Sequence, residues 1–235
     1  LLLSPGFDAY NTKPEQYYRY AGSELFDCLL DNGFDIYVLY YKYNPQDLRN
    51  NAAVYSSAIK YISNTWNNSN NIVAAGISMG GVISRYALAK AEHIGSPLPV
   101  DKWISLDAPQ QGAYISKKLQ NFLNDNTPKD DHFSRYANNN PAAKILSMYN
   151  AYDVNPNEDL KDDDFNNNKG PIHTTFYNEL NNLNGNGYPQ LTLNIGVTFS
   201  TNIPSPYSYD DTWLNIKPPN RNIELKTHEL EAGSY

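Results

Sequence analysis

The chain has one cysteine, Cys28, in 235 residues, so no intramolecular disulfide can brace it. Cys28 sits between Asp27 and Leu29 in an amphipathic run, which predicts a buried small side chain and not a thiol nucleophile. Basic charge is also scarce: 18 Lys and Arg stand against 25 Asp and Glu, for a formal net charge of -7. Those basic residues form no run, and neutralising phosphates needs a basic stripe, so no nucleic-acid partner is expected. No apolar run approaches the roughly 18 to 20 residues that cross a bilayer. The longest candidate, residues 72–77, is strand-sized, so no transmembrane segment is expected. With no Cys or His cluster a zinc site is not expected. The acidic run Glu158-Asp159-Leu160-Lys161-Asp162-Asp163-Asp164 lacks the Gly and the oxygen spacing of an EF-hand loop and reads as a solvated loop. No metal and no cofactor is called for. The opening Leu1-Leu2-Leu3-Ser4 has no Met, basic segment or cleavage site before it and reads as the middle of a buried strand, the expectation for a piece of a longer protein.

Buried apolar runs alternate with helix-period segments up to about Asp107, which predicts an α/β fold whose mostly parallel sheet is covered by helices on both faces. Strands are expected at residues 1–4, 34–41, 71–77 and 102–106. A first helix should start after Thr12 as N-cap, with Pro14 and Glu15 in its first turn, and stop at Asn32-Gly33. Asp47 opens a second helix with Ala53, Ile59 and Ile62 on one face, and a third runs over 79–92. Residues 112–188 are rich in Asn and Asp, with helical pieces at 115–123, 142–149 and 174–183. That is too long for an ordinary connection and predicts a lid-like or cap insertion. A strand at 191–199 returns to the sheet, and the Pro-interrupted tail offers a short strand near 223–225. The expected organisation is therefore a core with its nucleophile turn over 1–111, the insertion over 112–188, and a return to the core over 189–235. The 20 Tyr, among them Tyr40, Tyr41 and Tyr43 after the second strand, suit partly buried packing with a wet tip.

The strongest chemical signal is Val73-Ala74-Ala75-Gly76-Ile77-Ser78-Met79-Gly80-Gly81, a buried strand delivering Gly-x-Ser-x-Gly straight into a helix. A serine on so sharp a turn needs strained backbone angles, and Gly76 and Gly80 remove side chains that would collide across it. Gly81 gives the helix room to pack close. The turn lifts Ser78 Oγ above the sheet and aims the helix N-terminus at it, so the Met79 N–H can donate to an oxyanion. Leu3-Ser4-Pro5-Gly6-Phe7-Asp8 is an earlier strand with a Gly turn behind it, which offers the Phe7 N–H as second donor.

With these motifs the chain resembles the α/β-hydrolase superfamily, its serine lipases and esterases, and more narrowly the lipase-like group that includes GPI inositol-deacylases and large secreted bacterial proteins. Pro5-Gly6-Phe7-Asp8, Gly76-Ile77-Ser78-Met79-Gly80-Gly81 and Ser105-Leu106-Asp107-Ala108-Pro109-Gln110-Gln111-Gly112-Ala113 carry the resemblance, the last with Gln110 where the family has His. Asn140-Pro141-Ala142-Ala143 and Phe176-Tyr177-Asn178-Glu179-Leu180 are similar to the insertion of the secreted members. The resemblance implies a lipid or other acyl-ester substrate, an extracellular or cell-surface location, and a sheet whose first two strands lie upstream of Leu1.

A serine nucleophile needs an imidazole held by a carboxylate, and the superfamily supplies them in the order Ser, acid, His. Of four histidines, His93 lies far down the helix after Ser78 and suits a surface or C-cap role. His132 and His173 read as solvated loop residues. His228 follows the last readable strand and is the in-chain candidate, while the resemblance places the base past Tyr235. Asp107 is a candidate acid, or else a turn residue bonding its own backbone ahead of Pro109; Asp210 and Asp211 read as solvent-facing. The expected function is a serine ester hydrolase working through an acyl-enzyme on Ser78. The alternative is a non-catalytic hydrolase-like adhesion or binding module, and acyl transfer or peptide hydrolysis would use the same serine.

Overall fold

The computed structural model describes residues 1–8, 12, 16, 23–65, 72–115, 120, 140–148 and 170–198, together with the backbone of 212–216 and 223–226. It divides into two compact units, Leu1–Thr198 and Phe199–Tyr235. The second unit contains β6 (Thr212–Ile216) and β7 (Ile223–Lys226), paired antiparallel. The first carries β1 (Leu2–Ser4), α1 (Ser23–Asp31), β2 (Tyr37–Val38), α2 (Leu48–Thr65), β3 (Val73–Ile77), α3 (Met79–His93), β4 (Lys102–Leu106), α4 (Pro141–Leu146), α5 (Pro171–Asn182) and β5 (Leu193–Val197).

The five strands of the first unit form one parallel sheet in the order β2-β1-β3-β4-β5. From β1 the chain moves outward to β2, then crosses back to β3 and continues the other way. The switch point, where the connections leaving two neighbouring strands diverge, therefore falls between β1 and β3, and ligand crevices in such sheets open there at the carboxyl ends of the strands. Both Ser4 and Ile77 end their strands at this place.

Each face of the sheet has its own cover. Leu3 and Ala75 pack with Phe26 of α1, and Leu29, Ile77 and Ile104 lie against them. On the other face Leu2, Ala74 and Trp103 join Tyr55 and Ile59 of α2, Val82 and Ile83 of α3, Ile145 of α4 and Phe176 and Leu180 of α5 in one cluster. So α4 and α5, from the Asn-rich stretch, are part of the same core as α2 and α3. α1 ends as its sequence predicts: Gly33 takes φ 80, its N–H donates to Leu30 O, and Phe34 N–H donates to Leu29 O at 3.0 Å. That is a Schellman close, which glycine permits at no steric cost.

Three local readings are corrected. Cys28 is exposed, because it lies two residues from the inward Phe26, about 200° around the helix. Ala53 is exposed, since α2 turns Leu48, Asn51, Ala52, Tyr55 and Ile59 inward instead. β2 is only two residues long, because β1 offers it only Leu2 and Leu3 as partners.

α3 is buried without a break from Met79 to Ala89, as befits a helix apolar on every side. Its one charged residue in that span, Arg85, is 0% exposed. The guanidinium donates from Nε to Gly187 O at 2.7 Å, from Nη1 to Gln110 O at 2.8 Å and from Nη2 to Asn181 Oδ1 at 2.9 Å. Its central carbon also stands 3.7 Å from the centre of the Tyr188 ring. Burial pushes its pKa below the ordinary arginine value, and oxygen dipoles and a π-face stand in for a counter-ion. A second junction joins α2, α3 and α5: Glu179 accepts from Arg49 Nε at 2.8 Å and from the Tyr86 hydroxyl.

Replacing Arg85 with Met would strand one buried acceptor, Gly187 O, and two part-buried ones, Gln110 O and Asn181 Oδ1. The unfolding free energy should fall by about 3 kcal/mol, since each such group left unpaired costs roughly 1–3 kcal/mol. Urea denaturation of the variant checks it, and a loss under about 1 kcal/mol would show that the junction is dispensable.

Candidate active site

β3 runs into α3 with one residue, Ser78, between them. A strand cannot become a helix in one step at ordinary backbone angles, and Ser78 takes φ 52 and ψ -124. Such a conformation costs a non-glycine residue about 1–3 kcal/mol. The neighbouring glycines show what forces it. A Cβ on Gly76 would lie 2.2 Å from Gly80 O, one on Gly80 would lie 2.2 Å from Ser4 O, and one on Gly81 would lie 2.4 Å from Ala108 Cβ. The turn and the end of β1 are thus in backbone contact beside Ser78, and the side chain of Ala108 in the loop after β4 closes on Gly81. The Ser78 N–H donates to Leu106 O at 2.9 Å, which anchors the turn to β4.

Ser78 occupies the N-cap position of α3, where a serine normally accepts an N–H of the first turn, yet its side chain makes no capping bond. The Met79 N–H has no intrahelical acceptor by the geometry of a first turn. Across the switch point stands Gly6, so close that a Cβ there would be 3.2 Å from Ser78 Cβ and 3.7 Å from Ser78 Oγ. Phe7 follows, half-buried against the main core, and its N–H has no acceptor among the described residues. Of the three residues singled out in the sequence, Ser78 thus lies against the segment that carries Phe7, and Met79 follows it at the start of α3. A hydroxyl, a helix N-terminus and a loop N–H around one point can hold a carbonyl and the negative charge that develops on it.

Buried polar side chains bond Ser4 and Gly6. Ser4 Oγ meets the Tyr41 hydroxyl at 2.8 Å, and burial drives the Tyr41 pKa far above its ordinary value, so it stays a neutral hydroxyl. Asn44, 2% exposed, bonds the Gly6 carbonyl and the Asp8 N–H. Sequence reasoning missed Asn44 because its partners lie 36 and 38 residues away; the one signal was a polar residue inside the turn Tyr43-Asn44-Pro45.

The remaining candidates divide. Asp107 ends β4 beside the turn, in a left-handed conformation (φ 43), with its N–H donating to Val197 O at 2.7 Å and its side chain exposed. His93 is the exposed last residue of α3, about 20 Å along the helix from Met79 at 1.5 Å per residue. His173 corrects the sequence reading: it is no solvated loop residue but 2% exposed in the first turn of α5. Its Nδ1–H donates to Ile145 O at 2.8 Å, its ring lies 4.5 Å from that of Tyr177, and Gly112 leaves the room it fills. Gln110 is structural too, donating from Nε2 to Ser105 Oγ at 2.8 Å while its carbonyl accepts from Arg85. His132, His228, Asp210, Asp211 and the acidic run 158–164 lie outside the described residues. Among the described residues no group of three or more His, Cys, Asp or Glu is arranged to hold a metal ion, and no helix is long and apolar enough to cross a membrane.

If the turn is strained as these angles imply, Ser78→Gly should be more stable than Ser78→Ala by about 1 kcal/mol, despite the extra entropy of an unfolded glycine. Both variants lack the hydroxyl, so their difference in chemical denaturation isolates the backbone. Equal stabilities would show that Ser78 bears no strain.

No family model matches the chain, and no curated protein matches it. Among solved structures it is similar to the Bacillus licheniformis lipase BlEst2 in its propeptide form, with a TM-score of 0.51 and 15% identity over 83% of this chain and 34% of that one. The mature form of the same lipase gives a TM-score of 0.47 and 16% identity, again over 83% of this chain and over 63% of that one. The chain thus spans about a third of the propeptide-form chain and under two thirds of the mature one. At such identity the likeness speaks of architecture alone, and with the five-stranded parallel sheet flanked by helices it gives the chain an α/β-hydrolase fold.

Proposed function

We propose that this chain carries the nucleophile of a serine ester hydrolase. The observation behind the reading is Ser78 itself: a serine in the N-cap position that does not cap, held at φ 52, facing Gly6 across the switch point. In the proposed reaction Ser78 Oγ attacks the acyl carbonyl while the N–H groups of Met79 and Phe7 receive the oxyanion. Collapse of the tetrahedral intermediate breaks the ester C–O bond and releases the alcohol, which takes the proton that Oγ gave up. Water then attacks the acyl-enzyme, and the acid leaves with Ser78 restored. A base must carry these protons, and neither described histidine is available: His93 is distant and His173 is enclosed in the core. The proposal therefore draws the base from outside the described residues, His228 being the candidate within the chain by its order after Ser78 and Asp107.

The second reading, a hydrolase-like binding module without turnover, is favoured by the same placement of His93 and His173. Two measurements separate them. Under the enzyme reading a fluorophosphonate probe labels the protein at one site, Ser78→Ala abolishes the label, and p-nitrophenyl esters between acetate and palmitate are hydrolysed. Labelling that survives Ser78→Ala removes Ser78 from the chemistry, and absence of both labelling and turnover in the native protein establishes the binding module.

A further inference from the structure

We infer that Asn44 is a positioning residue that sets the direction of the Phe7 N–H, an inference that rests on the hydrolase reading of Ser78. The argument begins with one peptide unit. Gly6 C=O and Phe7 N–H belong to the same planar trans peptide, so they point in opposite directions. Whatever holds the carbonyl aims the N–H. Asn44 Nδ2 donates to Gly6 O at 3.1 Å, and Asn44 Oδ1 accepts the Asp8 N–H at 2.7 Å. The two bonds bracket Phe7 and turn its N–H away from Asn44, while Gly6, at the near end of that peptide, touches Ser78.

A carboxamide does both, whereas a carboxylate cannot donate. The carbonyl can only accept and the N–H can only donate, so the bracket needs one donor and one acceptor on a single planar group, and this also fixes which end of the Asn44 amide faces which partner. Asn44 is itself held. Its backbone oxygen accepts from Asn51 Nδ2 at 2.8 Å, and Asn51 Oδ1 accepts from Gln46 Nε2 at 2.6 Å. Asn51 is 0% exposed on α2, so a chain of amides ties the loop after β1 to a rigid helix. Such support is what an oxyanion donor requires, because it must already point at the developing charge and cannot reorient during the reaction.

The test uses Asn44→Asp and Asn44→Ala in the whole protein. The aspartate keeps shape and the acceptor for Asp8 but meets Gly6 O with an oxygen; the alanine removes both bonds. With a short p-nitrophenyl ester, kcat should fall about 10- to 100-fold in both variants while KM changes by less than about threefold, as expected when a transition-state donor is misaimed. Fluorophosphonate labelling of Ser78 should slow in parallel, and the Asp8 amide should exchange hydrogen faster in Asn44→Ala while β3 and α3 keep their protection. Asn44→Asp retains the side-chain volume, so it reads the effect even where Asn44→Ala folds poorly. A labelled, active native protein whose two variants label and turn over at its own rate overturns the inference. An inert native protein overturns the hydrolase reading, and with it any catalytic role for Asn44. Accelerated Asp8 exchange in that inert protein still marks the bracket as real, which tells the two failures apart.

Discussion

One constraint organises the site: β3 becomes α3 with a single residue between them. A chain turned so sharply brings the helix start down onto the strand that feeds it, and backbone then meets backbone at Gly76 and Gly80. No side chain fits in those gaps. The same closeness presses the start of α3 against the end of β1 and, through Gly81, against the loop after β4. The end of β1 is therefore held at the helix N-terminus by backbone closeness at Gly80, and the end of β4 by the bond from the Ser78 N–H to Leu106 O. The conformation of Ser78 is the residue of strain left by that arrangement, and it keeps the hydroxyl from the capping bond that would otherwise use it.

The later part of the chain is fastened to this frame by α3. Arg85 reaches the loop after β4 through Gln110, the end of α5 through Asn181 and the following turn through Gly187 and Tyr188. Glu179 connects α5 to α2 and α3 on a neighbouring side, and Tyr177 donates from its hydroxyl to Pro109 O at 2.9 Å. α5 therefore belongs to the packing that holds the turn at Ser78. A buried cation served by carbonyl oxygens is favourable only when all of them are in place, so it selects one arrangement of these segments over near alternatives.

Sequence was most informative where a structural demand is local. The Schellman close at Gly33 and the demand that Gly80 places on Gly76 each answer to neighbours a few residues away. It was least informative where a role depends on segments joined by the fold. His173 looks like a loop residue beside Gly170-Pro171 until Gly112 and Ile145 are seen to close over it. Asn44 is an ordinary turn residue until the pairing of β1 with β2 sets it beneath Gly6. Arg85 did carry a legible sign, a lone charge within Gly80-Gly81-Val82-Ile83-Ser84-Arg85-Tyr86-Ala87-Leu88-Ala89, where every side of the helix is apolar. Its partners, spread over residues 110–188, could not be read in the same way.

The strand order has a consequence for how the sheet is made. Among the described strands of the first unit β1 comes first in the chain and lies between β2 and β3; β4 then pairs with β3, and β5 with β4. Every later strand finds its partner already synthesised, so the sheet can grow outward from β1 in the order in which the ribosome delivers it. Parallel pairing is slow because long crossovers must close before it is rewarded. In this order β1, β3 and β4 each keep one edge open until the next strand arrives, so the exposed edge of the growing sheet moves along it one strand at a time.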